Sequence, residues 1–82
     1  MELEQIETNV KKIIIDYFEP EQEDFAPDAM IAQTLDLNSL TRMELMVLLR
    51  EKMGIAIPLK DFTSVVTFND LYHCIYEHQS QP

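Results

Sequence analysis

The segment LDLNSLTRMELMVLLREKMG, residues 35–54, decides the fold that the sequence predicts. Apolar residues recur through it at helical spacing, and it ends on Gly54, the only glycine in the chain. A glycine just past a helix can take the left-handed conformation that closes the helix. At the other end, the Asn38 side chain can accept a hydrogen bond from an exposed backbone N–H of the first turn. The pattern predicts a helix from Ser39 to about Met53, with the Ser39 hydroxyl free in its first turn.

This helix is apolar over most of its circumference, which is unusual for a surface element of a small domain. One stripe is assigned to the core and consists of Leu45, Leu49 and Met53, helped by Met46 and Leu48. A second stripe, at i, i+3 and i+7, starts beside Ser39; it consists of Leu40, Met43 and Val47 and is edged by Glu44 and Glu51. The second stripe is either buried in a central helix or open to a partner. The small size of the chain favours the partner.

The segment before this helix predicts a second helix and a long loop. The apolar residues of the helix recur at helical spacing and are assigned to the core: Leu3, Ile6, Val10, Ile13, Ile14, Tyr17 and Phe18. The helix should end near Glu19-Pro20, because proline cannot continue it. Residues 19–38 then form an ordered loop with one short helical turn after Pro27. The expected anchors of the loop are Phe25, Met30, Ile31, Leu35 and Leu37.

Two further helices are predicted after Gly54. A short one lies in residues 59–66, with Phe62, Val65 and Val66 packing inward. The last one starts at the N-cap Thr67, with Asp70 as its capping partner, and buries Phe68, Leu71, Tyr72 and Ile75. It also carries His73, Cys74 and His78, expected to be surface histidines and a half-buried cysteine, because adjacent helical side chains point about 100° apart and make a poor metal site. The core should span residues 3–77, with 78–82 as a frayed tail.

Composition narrows the function further. Fifteen acidic residues against six basic ones give a formal net charge of −9, which repels nucleic acids and anionic lipid surfaces. A single cysteine allows no internal disulfide and suits a reducing cytoplasm. No run approaches the roughly 20 apolar residues of a membrane span, and the acidic start does not resemble a secretory signal. A chain of 82 residues is expected to form one small domain. It is not expected to catalyse a reaction on its own.

Two interpretations of Ser39 stay open on physical grounds. The exposed N–H groups and positive dipole end of a helix favour a phosphodiester at its first turn, so a serine there suits attachment of a phosphate-linked group. Serine is also common at helix starts for structural reasons alone.

The sequence from about Leu3 to Glu77 resembles the acyl carrier protein family. That family has Leu-Gly-(Leu/Ala)-Asp-Ser-Leu where this chain has residues 35–40, and its Val-Glu-Leu, Phe-Gly-Ile and Ile-Pro correspond to residues 43–45, 53–55 and 57–58. The resemblance implies an all-α four-helix bundle of three longer helices and one short one. It implies that Ser39 receives a 4′-phosphopantetheine arm from a phosphopantetheinyl transferase. The arm would hold acyl groups as thioesters.

The resemblance also implies partners, namely acyl-loading enzymes, a ketosynthase and other enzymes of a fatty-acid or polyketide-type pathway. It implies that the free chain is a monomer. The implied docking residues are Asn38, Leu40, Met43, Glu44, Val47 and Glu51. Two alternatives share the sequence pattern: a peptidyl or aminoacyl carrier, and an unmodified helical interaction module.

Three departures from the family pattern predict a carrier dedicated to one pathway. Asp36 replaces the usual glycine, and Asn38 replaces the usual aspartate. The helix from Ser39 to Met53 carries three basic and two acidic residues, 3 − 2 = +1, where the family is strongly negative. Residues 1–36 carry ten acids and two bases, hence −8. Rim charges steer and exclude partners, so a mixed-charge helix should select different enzymes.

Overall fold

A computed structural model describes residues 2–20, 25–35 and 38–79 of the chain. Its helices are α1 (Leu3–Phe18), α2 (Ile31–Thr34), α3 (Ser39–Met53), α4 (Leu59–Phe62) and α5 (Phe68–Gln79). The all-α class and the three long helices are confirmed. The described ranges contain two short helices: α4 is the short helix expected after Gly54, and α2 is the short helical turn expected after Pro27.

Helix α1 lies in the core along one face and ends where the sequence predicts. Its buried residues are Ile6, Val10, Ile13 and Ile14. The Glu2 backbone N–H donates to Gln5 Oε1 over 3.0 Å at the start of the helix. At the end, Glu19 takes a left-handed conformation with φ of 45°. Of the predicted stripe, Leu3 and Tyr17 at the two ends are exposed, so the buried stripe is shorter than expected.

Helix α3 has both of its predicted boundaries. Asn38 Oδ1 accepts a hydrogen bond from the Thr41 N–H over 2.9 Å. Gly54, with φ of 69°, donates its N–H to the Arg50 carbonyl over 3.0 Å. The predicted core stripe is confirmed in the described core: Leu45 and Leu49 are fully buried, and Met46, Leu48 and Met53 pack partly buried against it.

The loop before α3 is tied by its backbone to the segment before α5. Met30 and Thr67 form an isolated antiparallel bridge. The Ile31 N–H donates to the Val66 carbonyl over 2.9 Å, and the Phe68 N–H donates to the Ala29 carbonyl over 3.1 Å. These bonds hold residues 29–31 against the linker that leads into α5.

Most of the expected loop anchors are confirmed, and one is wrong. Phe25, Ile31 and Leu35 are buried. The Met30 side chain is 44% exposed, because Met30 holds the loop through its backbone bridge and turns its side chain outward. The expected anchor Leu37 and the departure at Asp36 lie outside the described residues.

The α4–α5 region differs from the prediction in where its helix ends. α4 stops at Phe62, and Val65 reaches the core from the linker that follows. Val66 is exposed rather than packed inward, because its carbonyl accepts from Ile31 and fixes the chain in an extended conformation. The predicted reciprocal cap at Thr67 and Asp70 is confirmed by hydrogen bonds of 3.0 and 3.1 Å.

Helix α5 continues through Gln79, and residues 80–82 of the predicted tail lie outside the described residues. His78 is half-buried rather than a surface histidine. Its Nε2 lies 3.2 Å from Asp61 Oδ2, and its Nδ1 lies 2.8 Å from the Cys74 carbonyl oxygen. These contacts join the end of α5 to α4. His73 is exposed and Cys74 is half-buried, as expected.

The core joins α1, α5 and the buried side of α3, with α1 packed mainly on α5. The Phe25 and Phe68 rings meet edge to face, with centroids 5.2 Å apart. Among the described helices, none combines the length and apolar character that crossing a membrane requires.

Candidate functional site

Ser39 is the first residue of α3 and is exposed. The Asn38 side chain takes the capping role at this end, so the serine hydroxyl is not needed for it. Among the residues that the structure describes, Ser39 Oγ makes no hydrogen bond, and the backbone N–H groups of Ser39 and Leu40 have no acceptor. A free hydroxyl therefore stands beside unsatisfied N–H groups at the positive end of a helix dipole.

The second apolar stripe of α3 points to solvent. Leu40 is 67% exposed, Met43 60% and Val47 51%. Met43 and Val47 also line a shallow apolar depression together with Glu44 and Leu48. Of the two interpretations of this stripe, burial in a central helix is therefore wrong. The apolar row runs from the first turn, beside Ser39, along the outside of α3.

The two borders of this stripe carry opposite charges. At 100° per residue, Glu44 and Arg50 lie about 60° to either side of Val47, and Glu51 lies on the Glu44 side. All three residues are exposed. The outer face of α3 is therefore an apolar row between an acidic edge and a basic edge.

Arg42 stands one turn after Ser39 and is half-buried. Its Nε is buried and has no hydrogen-bond partner among the described residues. A buried guanidinium N–H that makes no hydrogen bond is costly, since it has lost water and gained nothing in exchange. The structure therefore leaves a donor unused on the residue three positions after the serine.

The chemistry elsewhere in the described ranges is structural. Burial raises the pKa of the Cys74 thiol, and the charges of Asp61 and Glu77 raise it further, so this thiol stays protonated. Thiolate is the nucleophilic form of cysteine, so Cys74 is a poor candidate to hold a thioester. Within residues 2–20, 25–35 and 38–79, no three His, Cys, Asp or Glu side chains come together as metal ligands.

Comparison with protein families matches residues 9–75 to the family described as "Phosphopantetheine attachment site". Among curated proteins, the chain is 30% identical to an acyl carrier protein of Rickettsia bellii strain OSU 85-389 over 78 residues, which cover 95% of this chain and 96% of the relative. It is 28% identical to an acyl carrier protein of Rickettsia bellii strain RML369-C, again over 78 residues, covering 95% and 91% of the two chains. The chain belongs to the acyl carrier proteins, within the family that bears a phosphopantetheine attachment site.

Membership of this family makes the chain a carrier rather than a catalyst, with 4′-phosphopantetheine as its covalent prosthetic group. That group supplies a flexible arm ending in a thiol, the chemistry that Cys74 lacks. The described residues fit the group at its phosphate end. An exposed serine hydroxyl can form the ester, and the free N–H groups at the start of α3 are donors suited to a phosphodiester.

The exposed serine, its cap and the second stripe were predictable from the sequence, but the sequence pattern gave Arg42 no separate role. Arg42 entered only as one of the charges on the helix. Its spacing of three residues from Ser39 puts the two side chains on one face, and this signal was present in the sequence. The burial of the Arg42 Nε depends on tertiary packing, so no signal in the sequence indicates it.

Proposed function

We propose that Ser39 is the attachment point of the 4′-phosphopantetheine arm, and that the chain presents acyl thioesters to the enzymes of a dedicated fatty-acid or polyketide-type pathway. The observation that carries the proposal is the exposed Ser39 hydroxyl, free of hydrogen bonds within the described residues, at the start of α3 and inside the matched range 9–75. The names of the two relatives support acyl rather than aminoacyl cargo.

In this proposal the residues at the start and on the outer face of α3 have separate roles, which follow from their positions on the helix. Asn38 holds the first turn, so Ser39 meets the transferase on a fixed helix end rather than on a loose loop. Leu40, Met43 and Val47 give the transferase, the acyl-loading enzyme and the ketosynthase a common apolar contact. Glu44 and Glu51 border that contact and orient the partner by charge. The chain is a monomer when free and works in the cytoplasm in this proposal.

The test of the attachment point is the intact mass of the protein after co-expression with a broad-specificity phosphopantetheinyl transferase. The wild type should gain the mass of one phosphopantetheine, and Ser39→Ala should gain none. The matched control is Ser64→Ala, which removes another exposed serine and should leave the mass gain intact. A modified Ser39→Ala protein, or a wild type that no transferase modifies, would overturn the proposal.

The pathway assignment needs a separate test. We expect housekeeping fatty-acid enzymes to use the holo protein with a lower kcat/KM than they show for their own carrier, because the +1 charge of α3 replaces a strongly acidic helix. An Arg50→Glu variant, which changes only an exposed charge of α3, should recover part of the loss. Equal kcat/KM for the two wild-type carriers would contradict a dedicated role while leaving the attachment at Ser39 unaffected.

A further inference from the structure

We propose that Arg42 binds the phosphodiester of the arm and fixes the root of the arm against α3. This inference rests on the proposed attachment at Ser39. It adds a residue that receives the phosphate once the transferase has formed the ester, and it assigns Arg42 a role in the holo protein that it lacks in the apo protein.

Arg42 follows Ser39 by three positions on α3. Side chains three residues apart on a helix are neighbours, with Cβ atoms about 5–6 Å apart, so the Arg42 side chain starts within reach of a group on Ser39. The phosphorus of a serine phosphodiester lies one bond beyond Oγ. An arginine side chain is long enough to span this gap without any change in the helix.

Arg42 also carries a hydrogen-bond donor that the described residues leave unused. Arg42 Nε is buried without a hydrogen-bond partner, and no ion pair joins Arg42 to an acidic side chain of the described residues. Buried polar groups are nearly always hydrogen-bonded, so a donor without an acceptor calls for an explanation, and a phosphate that arrives with the arm would supply one. In a chain of net charge −9 with only six basic residues, a half-buried arginine left without a carboxylate is unexpected.

The arginine side chain also suits a phosphodiester chemically. A guanidinium is a planar fork of N–H donors that matches two oxygens of one phosphate, and it stays charged at any working pH. The free N–H groups of Ser39 and Leu40 face the same phosphate from the helix end. The phosphodiester would then be held by the helix end and by Arg42, while the pantetheine part of the arm stays free to reach partner enzymes.

The direct experiment compares apo and holo wild-type protein by NMR, with the side-chain Nε–Hε signal of Arg42 assigned. We expect this signal to shift and its exchange with water to slow in the holo protein, while the signal of the exposed Arg50 stays unchanged. The comparison needs no variant, so it holds even if substitutions at position 42 disturb folding. Unchanged Arg42 signals in a protein shown by mass to be fully modified would overturn the inference and leave the attachment at Ser39 standing.

Variants supply the second measurement. In Arg42→Gln the ³¹P signal of the holo protein should move, and any gain in melting temperature from apo to holo should disappear. Arg50→Gln, an exposed arginine on the same helix, is the matched control and should keep both properties of the wild type. Arg42→Lys should keep part of the gain, since it retains the charge without the fork. Identical ³¹P signals in wild type and Arg42→Gln would also overturn the inference. Failure of any transferase to modify Ser39 would remove its basis.

Discussion

Tyr72 carries a hydroxyl into the core and leaves it without a hydrogen-bond partner among the described residues. The residue is buried on α5, and its ring lies against Phe68 with centroids 6.2 Å apart. Burial raises the pKa of the phenol, and the negative charge of Glu7 raises it further. The hydroxyl therefore remains protonated and unsolvated, and the ring is the part that stabilises the fold.

We expect Tyr72→Phe to leave the protein as stable as the wild type or about 1 kcal/mol more stable, because it removes a buried polar group that makes no bond. Urea denaturation of the two proteins measures the difference. Tyr72→Leu should destabilise, since it also removes the ring. A loss of stability in Tyr72→Phe would show that the hydroxyl has a partner.

Asp70 gives a prediction about pH. The backbone N–H of Thr67 and then that of Val66 hold its pKa below the ordinary value of 3.8, by donating to Oδ2 over 3.0 and 3.1 Å. A carboxylate with a lowered folded pKa stabilises the protein above its ordinary pKa and loses this contribution as the pH falls through the folded value.

The free-energy difference between wild type and Asp70→Asn should therefore be constant from pH 7 down to about pH 5 and shrink below the ordinary pKa. Asparagine keeps an oxygen acceptor, so the comparison isolates the charge. Urea denaturation across a pH series gives the curve. A difference that persists undiminished at pH 2 would mean that the charge of Asp70 is not what stabilises the start of α5.

At the scale of the element, α3 depends on how it ends. Gly54 has φ of 69°, a conformation that L-residues adopt at a cost of about 1–2 kcal/mol. A Cβ placed on Gly54 would meet no atom within 4 Å, so the cost of Gly54→Ala is purely conformational. We expect Gly54→Ala to lose about 1 kcal/mol in denaturant unfolding, and Gly54→Asn to lose less. Equal losses in the two variants would argue against the left-handed end.

The outer face of α3 gives a prediction about docking. Met43→Ala should lower kcat/KM for the phosphopantetheinyl transferase by about fivefold or more, because an apolar contact at the centre of an interface is worth more than about 1 kcal/mol. Its melting temperature should stay near that of the wild type, since Met43 is exposed. Val66→Ala, an exposed apolar residue outside α3, is the control and should react normally. Normal kinetics in Met43→Ala would exclude this residue from the docking surface.

The elements also show what the sequence could predict. The bounds of α3 were predictable because both signals, the Asn38 cap and Gly54, act within one turn of the helix. The outward side chains of Met30 and Val66 were not, because a backbone bridge between distant segments sets their direction. His78 was misjudged for the same reason, since its partner Asp61 lies on another helix. In the site, Ser39 was readable from local sequence, whereas the unpaired Arg42 Nε depends on tertiary packing.

At the scale of the whole molecule, charge opposes compactness. The chain has a formal net charge of −9, and within the described residues an ion pair of 3.0 Å joins Lys11 to Glu7. Salt shortens the range of repulsion between exposed charges, from about 8 Å at 0.15 M to about 3 Å at 1 M. Added salt should therefore stabilise the folded chain, because it weakens the repulsion between acidic side chains more than it weakens attraction within ion pairs.

We expect the melting temperature to rise by a few degrees between low and high sodium chloride, which corresponds to about 1 kcal/mol or less in a domain of this size. A variant with fewer exposed acids, Asp16→Asn with Asp28→Asn, should melt higher at low salt and respond less to salt. A melting temperature that falls as salt is added would mean that attractive pairs dominate.

The backbone bridge between Met30 and Thr67 has a further consequence for how such a chain can be re-engineered. The bridge fastens the two ends of the segment that contains α3 and α4, so this segment enters and leaves the rest of the fold at one place. Exposed positions on α3 can therefore be exchanged for those of another carrier while Leu45 and Leu49 are kept to rebuild the core. We expect a chain that carries the exposed α3 residues of another carrier to keep this fold and to be used by the enzymes of that other carrier.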